Sequence, residues 1–339
     1  MIKKTILTAL LPCLMMTNAM GVERTNEQFY ASPTPSATGS AFKQLEVGVT
    51  AATTGIGIDL STPLSKSVKL RAGYTYMPKF TVSMKFGVGI EDNLYRYDEA
   101  GQPLYDEDGN PEFTEFGKMI NLVEEFTGNK VNNEVTMQAS PSMHNFKLLV
   151  DVHPFQNKRW RFTGGIYAGS STIARVCNSA EDMPTLYAAN MFNMMYEKAE
   201  LDEPIVSMFG FDFYAGPALL EYGRIGLDMG ARADGSTYKM TPNEHCMVSV
   251  EARTNTVKPY LGFGYVAASL GKEQRTSIAF DCGALFWGGA PNLITHDGTN
   301  LTHDISGISG TIGQYVDIAR KITVYPVVSI GVSYALFQR

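Results

Sequence analysis

The chain has 339 residues, of which 44% are hydrophobic and 18% charged, and its formal net charge is −6. This acidic balance argues against a nucleic-acid partner, because proteins that bind nucleic acids usually carry an excess of basic residues. Beyond the N-terminus no stretch approaches the roughly 18 to 20 consecutive apolar residues of a membrane helix, which excludes a helical membrane protein.

The N-terminus has the features of a secretory signal peptide. Two lysines form a basic start, an apolar stretch runs from Thr5 to Met16, and Thr17 to Ala19 offers small residues for cleavage. We therefore predict that residues 1–19 are removed, which leaves 26 basic against 34 acidic residues and a net charge of −8. A lipoprotein signal at Cys13 is the weaker alternative, because Pro12 stands where a small residue belongs.

Residues 20–41 are polar and rich in Ser, Thr and Pro, which predicts a flexible leader. From residue 42 to residue 339, segments of about ten residues alternate apolar with small or polar side chains. This pattern is typical of membrane strands with one face in lipid and one in a lumen. The eight predicted strands are 42–51, 55–64, 68–77, 146–155, 160–169, 257–267, 277–287 and 322–337.

The connections between these segments sort by length. Those after the second, fourth and sixth segments are short, and we predict that they are periplasmic turns. Three of the others are long, at about 78–145, 170–256 and 288–321, and should lie outside the cell. A soluble β-sandwich, the alternative fold, has no reason to sort its loops in this way.

The sequence thus predicts an all-β fold, an up-and-down antiparallel transmembrane β-barrel of eight strands with some helix in its long external loops. Alternation at 224–229 and 247–253 could add strands and raise the number to ten or twelve. We favour hairpins above the membrane there, because Asp234-Gly235 predicts a tight turn between the two segments.

The inward faces of the predicted strands carry nearly balanced charges. Because unpaired buried charges are costly, this balance predicts an interlocked ion-pair network that plugs the lumen. The alternative is a narrow ion path through the same charges. The predicted network comprises four acidic residues, Glu46, Asp59, Asp151 and Asp281, and five basic ones, Lys69, Arg71, Lys147, Arg161 and Lys258.

Aromatic residues cluster at both ends of the strands, where two girdles mark the membrane interfaces of such barrels. The girdle at the short-turn end comprises Trp160, Phe162, Tyr265 and Tyr334, and the girdle at the long-loop end comprises Tyr74, Tyr76, Phe146 and Phe286.

Two strand phrases, Lys258 to Tyr265 (KPYLGFGY) and Val332 to Phe337 (VSYALF), resemble the small OmpA/OmpX-type outer-membrane barrels of Gram-negative bacteria. The resemblance is one of pattern and covers roughly a third of the chain. It implies export to the outer membrane, contact with its lipid and a monomeric barrel. The chain departs from the family because two residues follow Phe337, which also has the parity of the lumen face.

Three cysteines remain after the signal peptide, an odd number that excludes a fully paired disulfide scaffold. Cys177 and Cys246 lie in one long loop facing an oxidising exterior and could form a disulfide. Cys282 is predicted to face lipid as a small apolar residue.

Other motifs favour structural roles. The repeated sequences 97–103 and 105–111 predict tandem β-turns and lack the ligand spacing of a calcium loop. Two histidine-aspartate pairs, at 296–297 and 303–304, are expected to be solvated, so we predict no metal. The methionine-rich stretch 181–203 predicts a helix that packs on its own loop, caps the barrel or contacts a partner.

No catalytic motif is present, and the only strand histidine, His153, falls at the short-turn end. We therefore expect no enzyme and no cofactor. The sequence predicts a structural or surface-binding barrel that binds an extracellular ligand or protein through its loops. A channel or transport barrel is the alternative, and a lipid- or peptide-modifying enzyme is the weakest candidate.

Overall fold

The computed structural model of the chain describes residues 44–88, 90, 94–128, 130–214, 219–220, 223–270, 275–308 and 310–338. The predicted signal peptide and leader, at residues 1–19 and 20–41, lie outside the described residues. No helix in the described part of the chain is long and apolar enough to cross a membrane.

Strands dominate the described part of the chain, with three α-helices between them. In chain order the elements are β1 (Gln44–Ala52), β2 (Gly55–Pro63), β3 (Val68–Tyr76), β4 (Val82–Gly87), α1 (Glu115–Thr127), β5 (Glu134–Pro141), β6 (His144–Val152), β7 (Trp160–Gly169), β8 (Thr172–Asn178), α2 (Met183–Glu200), β9 (Pro204–Met208), β10 (Phe211–Tyr214), β11 (Leu227–Arg232), β12 (Thr237–Met240), β13 (Ser249–Arg253), β14 (Val257–Leu270), β15 (Thr276–Phe286), β16 (Asn292–Thr295), β17 (Ile305–Ser306), α3 (Gly310–Lys321) and β18 (Val324–Gln338).

Eight of these strands close into an antiparallel barrel with the neighbour order β1-β18-β15-β14-β7-β6-β3-β2. The predicted eight-stranded barrel is therefore confirmed, and each predicted strand agrees with an observed one to within three residues at either end. Strand β1 pairs with both β2 and β18, so the first and last strands seal the sheet. Closure gives every barrel strand a partner on both sides, which a sheet surrounded by lipid requires.

The barrel turns its apolar residues outward. In β2, exposed Ile56, Ile58 and Leu60 alternate with buried Gly57 and Asp59. The same alternation produces an exposed apolar band over the rest of the barrel, which includes Val49, Phe146, Leu148, Phe162, Ile166, Leu261, Phe263, Phe280, Ile330 and Val332. Such inverted amphipathicity stabilises a barrel in lipid rather than in water.

The last strand corrects one prediction. The parity of Phe337 places it on the lumen face, but Leu336 and Phe337 are both exposed, at 49% and 42%, and Ala335 is buried. The reason is a β-bulge, because Leu45 pairs with Phe337 whereas the next residue, Glu46, pairs with Ala335. The extra residue shifts the alternation, so Phe337 is exposed instead of lying on the lumen face.

Five barrel strands continue beyond the barrel into a second sheet. Strands β4, β5, β8, β13 and β16 each lie next in sequence to one barrel strand, separated from it by a short break. The second sheet has the order β16-β13-β8-β5-β4, which is the order of the adjoining barrel strands β15-β14-β7-β6-β3. Backbone hydrogen bonds cross the breaks, for example from Met77 to Met143 (2.8 Å) and from Thr254 to Ser171 (2.8 Å).

This second sheet is the base of a packed domain, which we call the loop domain and which comprises β4, β5, β8–β13, β16, β17 and α1–α3. One face of the sheet is apolar, and its Val135 and Met137 pack with Leu186 of α2 and Met229 of β11. A second core joins Phe116 and Ile120 of α1 to Ala188 and Phe192 of α2. The three long loops therefore fold together instead of extending separately into solvent.

The segments that could have added membrane strands belong to the loop domain. Strand β11 pairs with β12 around Asp234 and Gly235, and β13 pairs with β8 and β16. The predicted tight turn is present, but it joins β11 to 237–240 rather than to 247–253. The methionine-rich stretch forms α2, which packs on Leu219 of its own loop and on Phe116 of α1. Packing on its own loop was one of the three roles predicted for this helix.

Candidate functional site: the lumen and the loop domain

The middle of the lumen holds a network of buried ion pairs. The Arg71 guanidinium lies 2.9 Å from Asp151 Oδ1 and 3.3 Å from Asp281 Oδ2. Arg161 donates two hydrogen bonds to Asp281, at 2.9 and 2.6 Å. Thr163 donates a further one to Asp151 (2.6 Å). The two aspartates and two arginines are at most 9% exposed, so their charges are compensated by one another rather than by bulk water.

Two further pairs extend the network. Lys147 lies 2.8 Å from Asp59, which also accepts a hydrogen bond from Thr50 (2.6 Å). Lys69 contacts Glu46 at the short-turn end. Eight of the nine predicted lumen charges are thus joined in ion pairs, four acidic and four basic.

The ninth charge, Lys258, stands apart at the long-loop end. It is fully buried and donates hydrogen bonds to Ser170 O (2.8 Å) and Asn145 Oδ1 (3.3 Å). No carboxylate pairs with it among the described residues. Ser170 lies in the break between β7 and β8, so Lys258 ties the barrel to the base of the loop domain.

Glycines on the lumen face make room for the carboxylates. Gly73 is the cross-strand partner of Asp59, and Gly264 is the partner of Asp281. A Cβ atom at either glycine would lie 2.1 Å from the aspartate Oδ1 opposite, which is closer than two atoms can approach. Both aspartates can therefore lean across the neighbouring strand toward their basic partners.

A layer of buried, mostly apolar side chains lies in the lumen toward the loop domain. Leu149, Tyr167, Tyr260, Leu285 and Val327 are each at most 4% exposed and form one cluster inside the barrel. The rings of Tyr167 and Tyr260 have centroids 5.5 Å apart. The ion-pair network and the apolar layer are the two candidate barriers to ions, and they lie in series along the interior of an eight-stranded barrel, which is about wide enough for side chains to fill.

The residues of the two predicted aromatic girdles lie on the barrel as follows. Trp160 and Tyr265 are cross-strand partners with ring centroids 4.8 Å apart at the short-turn end. Tyr74 and Phe146 form the matching pair at the long-loop end, at 5.0 Å. The other four girdle residues lie on the outer face with 40% to 57% exposure: Tyr76, Phe162, Phe286 and Tyr334.

The short-turn mouth of the barrel contains a cavity of about 110 Å³. Sequence reasoning assigned Lys69 and Arg161 to the lumen but did not identify this cavity, because the short turns contribute much of its lining. His153 also lines it, and the backbone N–H of this histidine donates a hydrogen bond to Ser67 O (2.7 Å) in the neighbouring turn.

A hairpin with one apolar face projects from the loop domain. Its turn, Phe209-Gly210, has φ angles of 53° and 82°, as the tight turns of two-residue hairpins require. Val206 pairs with Phe213 and Met208 with Phe211, and all four side chains are 46% to 71% exposed. On the other face Ser207 donates a hydrogen bond to Asp212 (2.5 Å). Apolar and polar residues alternate in 204–214, but this hairpin is not among the features predicted from the sequence.

The repeated acidic motifs are turns, as predicted. The Asp98 carboxylate accepts hydrogen bonds from the backbone N–H groups of Ala100 and Gln102, and Asp106 does the same with Asp108 and Asn110. These oxygens are committed to backbone donors.

The two histidine-aspartate pairs also have structural partners. Asp297 accepts hydrogen bonds from Tyr238 (2.8 Å) and Thr295. Although partial burial opposes ionisation, these bonds and those from Thr299 lower the pKa of Asp297 to about 2. Asp304 accepts a bond from the Asn300 backbone. In the described ranges no group of three or more His, Cys, Asp or Glu side chains could hold a metal ion.

The disulfide suggested by the sequence is not formed. Cys177 and Cys246 are separate thiols, and Cys282 is a third, exposed on the barrel. Cys177 lies in β8 opposite Ser249 of β13, whereas Cys246 has φ 55° in a turn and packs into the first core of the loop domain. The two residues share a loop in sequence but occupy different environments in the fold.

Strand pairing, the apolar exterior and the buried charges of the interior define the class of protein: a small closed β-barrel of the membrane-spanning kind. No family model and no curated protein matches the chain.

Among solved structures, the chain is similar to CarO2 and CarO of Acinetobacter baumannii. It is 13% and 12% identical to them, with TM-scores of 0.35 and 0.36, over 86% of this chain and 98% and 97% of theirs. A major outer membrane protein from Thermus thermophilus is 11% identical with a TM-score of 0.27, over 88% of this chain and all of that one. The assignment of the class rests on the strand pairing of this chain.

Proposed function

We propose that the protein lies in the outer membrane as a monomeric, non-conducting barrel and holds the loop domain outside the cell as a binding surface. The observation that carries the proposal is the interior of the barrel, where buried ion pairs and a layer of buried apolar side chains follow one another along the lumen. A barrel without a path for ions through its lumen serves as a membrane anchor for the loop domain. The apolar exterior, the aromatic rims and the predicted signal peptide support the location.

Binding rather than catalysis is the proposed role of the loop domain. Its two apolar cores and its five-stranded sheet give it a defined surface, and the hairpin of β9 and β10 places four exposed apolar side chains on one face. Exposed apolar clusters on a soluble surface commonly mark sites of interaction. We propose that this hairpin contributes to the contact with an apolar extracellular partner.

Channel recordings test the closed lumen. The wild-type protein in planar bilayers should show no stable conductance steps, because both barriers block the interior. The double variant Arg71→Ala/Tyr167→Ala removes one large side chain from each barrier and should leak small ions. Large, stable steps in the wild-type protein would refute the closed lumen and favour a channel.

The hairpin can be tested on cells that display the protein. Replacing Phe211 and Phe213 by serine should lower the fraction of these cells that enters a hydrocarbon phase. The fraction should approach the one measured for cells that lack the protein. Ser207→Ala/Asp212→Ala, on the opposite face of the same hairpin, is the matched control and should not lower it. Equal partition for the wild type and the phenylalanine variant would contradict the proposed contact.

A further inference from the structure

The short-turn mouth concentrates positive charge in a protein that is acidic as a whole. The cavity of about 110 Å³ is lined by Lys66, Lys69, Lys158, Arg161 and Arg275, whereas Glu46 is the one acidic residue that the lining contains among the described residues. Five basic groups against one acidic group give this lining a formal charge of +4, compared with −6 for the full chain.

The charges differ in how they are compensated. Lys69 is paired with Glu46, and Arg161 is paired with Asp281 deeper in the lumen. Lys66 and Lys158, by contrast, lie in the turns after β2 and β6, and no carboxylate pairs with either of them among the described residues. The cavity therefore keeps an uncompensated positive potential at its rim.

Hydroxyl groups complete the lining. Ser65, Ser67, Ser269, Ser277 and Ser333 border the same space, and Ser277 and Ser333 lie 2.7 Å apart across two strands. Ammonium, guanidinium and hydroxyl donors around a small cavity are the groups that bind phosphate and carboxylate oxygens. A water molecule occupies about 30 Å³ in the liquid, so a cavity of about 110 Å³ has room for about three of them. This is enough space for a phosphate-sized group.

We propose that the short-turn mouth is a binding site for a phosphate group, presented on the side of the barrel opposite the loop domain. Lys66 and Lys158 supply the uncompensated charge, and the serine hydroxyls supply further donors. The phosphate belongs either to a free anion or to a phospholipid headgroup. The residues that supply the uncompensated charge, Lys66 and Lys158, lie in the turns outside the ion-pair network of the lumen.

Calorimetric titration tests the proposal, with inorganic phosphate as the probe and the full-length protein in a neutral detergent. Wild-type protein should bind phosphate saturably, and the binding should weaken with salt. The variant Lys66→Gln/Lys158→Gln should bind at least tenfold more weakly. The control Lys85→Gln/Lys118→Gln removes two lysines of the loop domain and should bind as the wild type does. Each variant must keep the gel mobility shift of a folded barrel.

Absence of saturable binding to the wild type, or equal loss in both double variants, would overturn the proposal. The source of the phosphate is distinguished by repeating the titration in lipid nanodiscs. Zwitterionic phosphatidylcholine discs supply headgroup phosphates without a net surface charge, so they should suppress binding of inorganic phosphate relative to the phosphate-free detergent if a headgroup occupies the site. Binding that is equal in these discs and in the detergent would assign the site to a free anion.

Discussion

Replacing Asp281 by alanine should destabilise the barrel by about 3–5 kcal/mol, because breaking a buried ion pair leaves an uncompensated charge behind. Asp281 accepts hydrogen bonds from both Arg71 and Arg161. Arg71 would retain Asp151, but Arg161 would lose its ion-pair partner. Urea titration of the protein folded in lipid vesicles, followed by the mobility shift on semi-native gels, measures the loss.

Two further variants make this result specific. Glu134→Ala breaks an exposed pair with Lys85 in the loop domain and should cost less than about 1 kcal/mol. Asp281→Leu/Arg161→Met removes both charges and should be more stable than Asp281→Ala, since apolar replacement of a whole buried pair is often tolerated. If Asp281→Ala lowered the free energy of unfolding by less than about 1 kcal/mol, the ion-pair network would not be a main source of barrel stability.

Replacing Phe192 by alanine should unfold much of the loop domain while leaving the barrel intact. Phe192 is fully buried in α2 and packs edge-on against Phe116 of α1, with ring centroids 5.2 Å apart. Truncating a buried phenylalanine costs about 3–5 kcal/mol, which a domain of this size cannot easily absorb. Limited proteolysis of intact cells should cleave the loops of the variant faster than those of the wild type.

The control for this experiment lies on the same helix. Tyr187 is 47% exposed, so Tyr187→Ala should leave the rate of proteolysis unchanged. Both variants should keep the mobility shift of the folded barrel. If Phe192→Ala abolished that shift as well, barrel and loop domain would have to be one cooperative unit.

The barrel was predictable from sequence because lipid imposes a strict period. Each strand must turn apolar side chains outward, so the pattern fixes both the strands and their faces. The parity gave the wrong face for Phe337, because a β-bulge precedes it and an inserted residue leaves no mark in composition. The loop domain was not predictable, because its strands come from several loops and pair over long sequence separations.

Strand parity predicts which charges face the lumen, but it does not predict which of them pair. Parity places Arg71 and Asp281 inside the barrel, and only the register shows that they meet. The glycines opposite Asp59 and Asp281 were the available signal, because a small inward residue beside an acidic one marks where a carboxylate crosses to its partner. The predicted disulfide between Cys177 and Cys246 is not formed for a related reason, because two cysteines in one loop need not be neighbours in space.

The shared strand order of barrel and loop domain also limits how the outer surface can diverge. External loops usually tolerate insertion and substitution because each is anchored separately. In this protein, neighbouring strands of the upper sheet come from different loops, so lengthening one of them would displace partners supplied by another. Sequence variation should therefore collect at turns outside the five-stranded sheet, such as those at Asp98 and Asp106 and the hairpin tip at Phe209.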